Sequence, residues 1–264
     1  MEPLVSIVVP SYNYNRLTER LIQSVMAQTY RNWQCVIVDD YSTDDTPSIL
    51  KKYQGADSRL EIIFNSQNKG MAKTLNEGFA RARGEYIVGM NADDCLAEAD
   101  ALSKLVSFMD THPDIGLVYA DNWLIDKDGN RIEIFRKPTI EGDALLTGNF
   151  IVTWSCMWRD SVFQKVGRRV EFDMCCDWDL WLKLSEHCKI AHLPEPLFGW
   201  YRHSDSLYFR ARRQGKGAVQ DRRCLLNARR RRGISNSNLE GLNIFTLPYR
   251  IRIGFWLQRF RGRS

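Results

Sequence analysis

Four groups of polar residues stand where short apolar runs end. Pro10-Ser11-Tyr12-Asn13 follows residues 5–9, and Asp39-Asp40, continued by Tyr41-Ser42-Thr43-Asp44, closes residues 35–38. Asn68-Lys69-Gly70 comes after residues 60–64, and Asn91-Ala92-Asp93-Asp94 after residues 86–88. Any one of them reads as a turn or a helix cap, and for Asp44 the cap is the better reading. Four such groups leaving one sheet at the same edge read as a ligand site rich in carboxylate oxygens, which suit hard cations and proton acceptance. Downstream lie a second set of acids, Asp173, Asp177 and Asp179, and the isolated His203. The first strand-to-helix turn carries neither GxGxxG nor GxxxxGK[ST], which argues against nicotinamide-dinucleotide and P-loop chemistry.

The elements that must position these groups follow from periodicity. Residues 5–9, 35–38, 60–64, 86–88 and 117–119 are short apolar runs with the character of buried strands. Between them Leu17, Leu21, Ile22, Val25 and Met26 recur at helical spacing. So do Ile49, Leu50 and Tyr53, then Ala72, Leu75, Phe79 and Ala82, then Ala101, Leu102, Leu105, Val106 and Met109. Asp44 or Asp45 caps the second of these helices, with Pro47 in its first turn, and Gly84 stops the third. Alternating strands and helices predict an α/β fold: a mostly parallel, Rossmann-like sheet with helices on both faces. Ligands bind such sheets beyond the carboxyl ends of the strands, where the four polar groups fall.

Taken in order, these segments resemble the motifs of family 2 glycosyltransferases with the GT-A fold. The resemblance rests on Ser6-Ile-Val-Val-Pro-Ser-Tyr-Asn13, Val38-Asp-Asp-Tyr-Ser-Thr-Asp44, Asn68-Lys-Gly70 with Asn76, Gly84-Glu-Tyr-Ile87 and Asn91-Ala-Asp-Asp94. It continues through Phe172-Asp173, Cys176-Asp-Trp-Asp-Leu-Trp181 and Tyr201-Arg-His-Ser-Asp-Ser-Leu207. It implies a nucleotide-sugar donor, UDP-linked by preference, and a glycan or lipid-linked glycan acceptor in bacterial surface polysaccharide synthesis. It also implies roles: Tyr12 stacks on the base, Asp40 accepts from it, Pro10 and Asn13 shape that pocket, Asn91, Ala92 and Asp93 line the nucleotide near the ribose, Asp94 ligates Mn2+ or Mg2+, His203 completes the metal site, and Asp177 is the catalytic base. A diphosphate meets an acidic pocket only through a neutralising hard cation, and one carboxylate with an imidazole leans toward Mn2+. Attack by an acceptor hydroxyl from the face opposite the leaving diphosphate would invert the anomeric centre.

Several of these residues have a plain structural reading as well. Asp177 suits the first turn of a helix whose apolar face is Leu180, Trp181 and Leu184, and Asp179 is a rival reactive carboxylate. Cys176 stands where the family has an acid, and Asn91 where the common Asp-x-Asp-Asp pattern has its first Asp. Lys69 is assigned to the nucleotide site, with Lys73 as an alternative phosphate contact. Trp154, between Thr153 and Ser155 and with Trp158 nearby, divides between core packing and a sugar platform. Asp173, Trp154 and Trp178 are the acceptor-side candidates.

Charge divides the 264-residue chain. Residues 209–264 hold 15 Arg and Lys against Asp221 and Glu240, a balance of +13, whereas residues 1–208 sum to −8. A catalytic domain over 1–207 with a basic, helical extension over 208–264 is the expected organisation. An aromatic-bearing basic segment suits an anionic membrane surface, and packing on the body or on a second subunit of a homo-oligomer competes with that. No specific nucleic-acid module is recognisable. The seven cysteines are odd in number and lack CxxC spacing, which fits buried thiols in a reducing compartment. With no secretory signal or 20-residue apolar span, a cytoplasmic location follows, at most peripheral to the inner face of the plasma membrane.

Overall fold

The computed structural model describes residues 2–141, 143–151, 154–203 and 216–234. Alternating apolar side chains along its first strand decide the architecture. Val5, Ile7 and Val9 face one core cluster and Val8 faces another, so the sheet is buried on both sides. The elements run β1 (Val5–Ser11), α1 (Asn15–Met26), β2 (Trp33–Asp39), α2 (Thr46–Tyr53), β3 (Leu60–Phe64), α3 (Met71–Arg81), β4 (Tyr86–Gly89), β5 (Cys95–Leu96) and α4 (Ala101–Thr111). Then come β6 (Ile115–Ile125), β7 (Arg131–Phe135), β8 (Cys156–Arg159), α5 (Asp160–Lys165), α6 (Cys176–Leu184), β9 (Lys189–Tyr201) and α7 (Lys216–Arg231).

The strand order is β3-β2-β1-β4-β8-β6-β9-β5, with β7 hairpinned onto β6. β3, β2, β1 and β4 are parallel, as the sequence predicts. Beyond β4 the sheet becomes mixed: β8 is antiparallel to both β4 and β6, whereas β6 and β9 run parallel. The order reverses at β1, between β2 and β4, so the exits of β1, β2 and β4 open into one crevice.

One core cluster gathers α1 and α4 through Leu21, Ile22, Val25, Leu102, Leu105 and Met109. The other gathers α3, α5, α6 and α7 around a column of rings. Trp154 sits in that column, 5.3 Å from Trp181 and 6.4 Å from Phe79. Its benzo edge covers Gly89 so closely that a Cβ there would lie 2.4 Å from it. This corrects the acceptor-side reading of Trp154, which is 4% exposed and belongs to the core. Trp178 needs the same correction: it is buried, and its indole N–H donates to the Leu145 carbonyl at 2.9 Å, fastening a 3-10 turn at Ala144–Leu146. Aromatic type alone does not separate sugar platforms from core; packing does.

The described part of the basic extension is the helix α7, which packs on α6 by burying Cys224, Leu225 and Ala228. Arg231 pairs with Glu186 at 2.9 Å, and Arg232 pairs with Asp143 at 3.3 Å and bonds Ser185 at 2.7 Å. Part of the Arg229–Arg232 run is therefore spent on the body. Residues 235–264, on which the membrane reading leans, lie outside the described residues, as do Thr153 and the segment 204–207 of the closing motif. No described helix is long and apolar enough to cross a membrane. All seven cysteines are free, and six of them are buried.

Trp154→Ala is expected to destabilise the protein by about 3–5 kcal/mol, the range for emptying a buried aromatic site. Chemical denaturation reads this directly; an unchanged midpoint would return Trp154 to the surface of the site.

Candidate active site

The exits of β1 and β2 are tied to each other before any ligand arrives. Asn13, at φ +60°, accepts the Thr43 N–H on its Oδ1 at 2.8 Å and donates its own N–H to Ser42 Oγ at 2.9 Å. Pro10 is buried within β1, opposite Val38, so it acts through the shape of the strand end. Tyr12, the ring expected to stack on a base, is exposed on the loop, and Tyr41 beside the second exit is also exposed.

Asp39 and Asp40 divide their work. Asp39 accepts both the hydroxyl and the N–H of Ser42, at 2.5 and 3.1 Å. Asp40 reaches across to the β3 exit and gathers Asn65 Nδ2 at 3.0 Å, the Lys69 N–H at 2.8 Å and the Gly70 N–H at 2.9 Å. It is 4% exposed. With two donors on Oδ1 and one on Oδ2, the carboxylate keeps one unused lone pair, on Oδ2. Its first task is to hold the 65–70 loop; what it offers a base is that remaining acceptor.

This loop opens α3, whose cap Gly70 has φ +86° and no side chain to satisfy the first turn. Asp173 supplies the acceptor from 101 residues away, taking the Ala72 N–H at 2.9 Å. The acid expected on the acceptor side therefore caps a helix through Oδ1, and the residue is exposed. Lys69 departs from expectation. Its ammonium is spent on Glu77 at 2.7 Å and Asn65 at 3.0 Å, which leaves the phosphate role without a free cation there.

The β4 exit holds the tightest group. Ala92 is fully buried, so only its backbone is available to a nucleotide. Asp93 and Asp94 are both more than nine-tenths buried. Asp94 Oδ1 accepts the Tyr201 N–H at 3.2 Å, and Oδ2 accepts Asn91 Nδ2 at 3.1 Å. Burial, with the Asp93 charge beside it, pushes the Asp94 carboxyl well above the usual carboxylate range, against the pull of the Asn91 amide. Asn91 thus donates to Asp94, whereas an Asp in its place would repel it.

Asp93 Oδ2 lies 2.9 Å from His203 Nε2, and Oδ1 is buried with no partner among the described residues. His203 meets Asp93 rather than Asp94. Its ring is stacked on Tyr201 at 4.7 Å, and the Arg20 guanidinium lies 5.5 Å from the Tyr201 centroid. Arg20 also donates to the Asp93 carbonyl at 2.5 Å. Among the described residues no three Cys, His, Asp or Glu side chains form a metal cage of their own. Yet the donor set present fits a hard cation: an orphaned buried carboxylate oxygen, a second carboxylate under like-charge pressure, and an imidazole. Mg2+ in particular takes one or two carboxylates and draws the rest from waters and substrate phosphates.

Asp177 stands in the first turn of α6, partly buried. Its Oδ1 accepts the Trp178 N–H at 2.8 Å, and its Oδ2 accepts Asn149 Nδ2 at 3.0 Å. Its surroundings push the carboxyl above its ordinary value, against the pull of these two bonds. The rival Asp179 is 1% exposed and paired with Lys183 at 2.7 Å, in the core beneath α7. That pairing takes it out of contention. Cys176 is buried, and burial with the Asp177 charge keeps its thiol protonated. It supplies a small neutral neighbour where the family pattern has an acid.

Arg20, Asn149 and Lys137 escape a reading by motif, and Tyr201 is met only as the first residue of the closing motif. Arg20 is one polar residue on an amphipathic helix, and Asn149 and Lys137 lie in segments without periodicity. Only Tyr201 has a signal, its place beside the His203 segment.

The model of the family described as "Glycosyl transferase family 2" matches residues 6–167. An uncharacterized protein of Sinorhizobium fredii is 34% identical over 204 residues, covering 75% of this chain and 22% of that protein. An O-antigen biosynthesis protein of Myxococcus xanthus is 31% identical over 199 residues, covering 74% of this chain and 16% of its own length. Chondroitin synthase of Escherichia coli is 30% identical over 205 residues, covering 77% and 30%. The chain therefore spans less than a third of each of these relatives. Among solved structures, S. aureus TarS in complex with UDP-GlcNAc superposes with a TM-score of 0.63 at 18% identity, covering 78% of this chain and 60% of that one. A mannosyltransferase of Pyrobaculum calidifontis in complex with GDP-Man and Mn2+ gives 0.63 at 18% identity, covering 84% and 65%. These likenesses show the fold.

Asn91→Asp is expected to lower stability at pH 7 by roughly 1.5–3 kcal/mol, the worth of a hydrogen bond to a charged group. The penalty should shrink as pH falls and one of the two facing carboxylates takes up a proton. Melting temperatures of both proteins between pH 5 and 8 test this; a gap that does not close toward acid pH would contradict the contact.

Proposed function

The chain belongs to glycosyl transferase family 2, and from the arrangement of its site we propose that it is a metal-dependent, inverting transferase. It moves a sugar from a nucleotide donor to a hydroxyl of a glycan or lipid-linked glycan. The observation that carries this reading is the buried acidic cluster at the β4 exit, where Asp93 Oδ1 has no partner among the described residues and Asp94 lies under like-charge pressure from Asp93. Asp177, in the first turn of α6, supplies a second, separate carboxylate.

The roles divide as follows. The exposed ring of Tyr12 offers a stacking face to the base, and Pro10 and Asn13 fix the loop that carries it. The spare lone pair of Asp40 accepts the ring N3–H of uracil, which favours a uridine donor. Asp94, with Asp93 Oδ1 and His203 beside it, would hold Mn2+ or Mg2+. When bound, such a cation neutralises charge on the departing diphosphate.

Asp177 keeps a lone pair on each oxygen after its two protein bonds, enough to accept the proton of an attacking hydroxyl. Burial raises its pKa and so makes it a stronger base than an exposed aspartate. Asn149 and the Trp178 N–H hold its orientation. The named relatives in O-antigen and chondroitin synthesis support a place in building a surface polysaccharide.

Incubation with Mn2+ and a panel of nucleotide sugars, reading released nucleotide diphosphate, tests the proposal. Asp177→Asn should lose about 10²–10⁴-fold in rate, the usual worth of a general base, while donor Kd stays within about twofold. Wild-type activity should fall toward acid pH with a midpoint above that of an ordinary aspartate, since the base must be ionised. Full activity in Asp177→Asn would remove that residue as base, and no turnover of any donor would remove the function.

A further inference from the structure

The donor reading leaves one buried cation unused. Lys137 follows β7 and is 4% exposed, and its ammonium has no hydrogen-bond partner among the described residues. Burying three N–H donors without acceptors is costly, so such a group persists where something else supplies the acceptors. The backbone around it is firmly built. The Lys137 N–H donates to Asp121 Oδ1 at 2.8 Å, the Tyr119 hydroxyl donates to the Pro138 carbonyl at 2.6 Å, and the Ile140 N–H donates to the Tyr119 hydroxyl at 3.0 Å.

His192 locks the same segment from β9. Its ring stacks on Tyr119 at 4.8 Å, and its Nε2 lies 2.8 Å from Asp121 Oδ1 while Nδ1 lies 3.2 Å from Thr139 Oγ1. Two strands, β6 and β9, thus hold the Lys137 segment in place without satisfying its side chain.

Its neighbours are just as incomplete. Asn122 donates to Ser155 Oγ at 2.7 Å, but its Oδ1 is buried without a partner among the described residues. Asp121 is 1% exposed, and its Oδ2 accepts no hydrogen bond, the nearest cation being Arg136 at 3.9 Å. A stranded donor whose own backbone is tied to Asp121, beside acceptors stranded on two successive residues of β6, matches a ligand that carries oxygens and hydroxyls together. The register sets the location: Gly89 of β4 continues opposite Cys156 of β8, Cys156 pairs with Tyr119 of β6, and the Ser155 carbonyl accepts the Ala120 N–H. Asp121 and Asn122, still within β6, therefore lie at the level of the Asn91–Asp94 exit.

Resting on the donor reading above, we propose that Lys137, with Asn122 and Asp121, binds the transferred sugar and determines which sugar is accepted, with the Lys137 ammonium donating to a sugar oxygen. The strand register brings β6, to which the Lys137 segment is bonded, to the level of the β4 exit that holds Asp94, next to which the sugar must sit during transfer. The oxygen it meets is a hydroxyl or a carboxylate. Burial pushes the Lys137 amine down to about 7 even against the opposing charges of Asp121 and Asp94, so a carboxylate or polar sugar oxygen placed against it stabilises the charged form.

The test compares Lys137→Met with the wild type by calorimetric titration of UDP, UDP-glucose, UDP-N-acetylglucosamine and UDP-glucuronic acid in the presence of Mn2+. UDP should bind both proteins within about twofold. The best UDP-sugar should bind the variant at least tenfold more weakly, collapsing toward the affinity of UDP. The largest loss falling on the glucuronic acid donor identifies a carboxylate partner, and on a neutral sugar a hydroxyl partner; either supports the proposal. The melting temperature should hold or rise, because the variant removes an unpaired buried charge. Unchanged sugar preference with normal UDP binding overturns the proposal alone. Equal loss of UDP and UDP-sugar affinity with a lowered melting temperature overturns it in favour of a purely structural lysine. Wild-type protein that binds none of these nor the GDP-linked counterparts overturns the donor reading, and this proposal with it.

Discussion

Two adjacent carboxylates buried at the end of β4 set the terms for everything around them. Asp93 and Asp94 cannot both carry charge in a low-dielectric site without donors or cations nearby. The fold supplies those from five directions: the Asn91 amide, the Tyr201 N–H, His203, the Arg20 guanidinium and, farther off, Lys137. Even so, one oxygen of Asp93 is left unmet among the described residues. That residual deficit is what a hard cation with its diphosphate would fill, and it explains why an acidic body suits an anionic donor.

The supporting frame follows the same logic of committed acids. Asp40 and Asp173 lock the start of α3, Asp39 locks Ser42, and Asp179 locks Lys183 beneath α7. After the protein's own bonds are counted, Asp93 Oδ1 is without a partner among the described residues, Asp94 and Asp177 keep a lone pair on each oxygen, and Asp40 keeps one. The proposed function rests on those remainders rather than on the acids as a class.

Much of this was readable from residue order. The apolar runs at 5–9, 35–38, 60–64 and 86–88 fell on β1 to β4, because strands buried on both faces are written as unbroken apolar segments. The far half of the sheet was not. β9 contains Pro194 and Pro196 and shows no clean alternation, and β6 extends on both sides of its apolar centre through register shifts. Both are specified by each other rather than locally. The site shows the same division: a strand exit holds Asp94 and a helix start holds Asp177, both legible from position in the chain, but the fate of Lys69 depended on Glu77 and that of Trp154 on Gly89. Lys137 carried no signal, since a lysine in an aperiodic segment reads as surface until its burial is seen.

The central claim is that the Asp93–Asp94 cluster is half of a cation site whose other half is the donor diphosphate. Titrating Mn2+ into the protein with and without saturating UDP, and following free Mn2+ by electron paramagnetic resonance, tests it most directly. The account predicts weak binding to the protein alone and binding at least tenfold tighter with UDP present. Equal Mn2+ affinity in both titrations, or no binding in either, would contradict it.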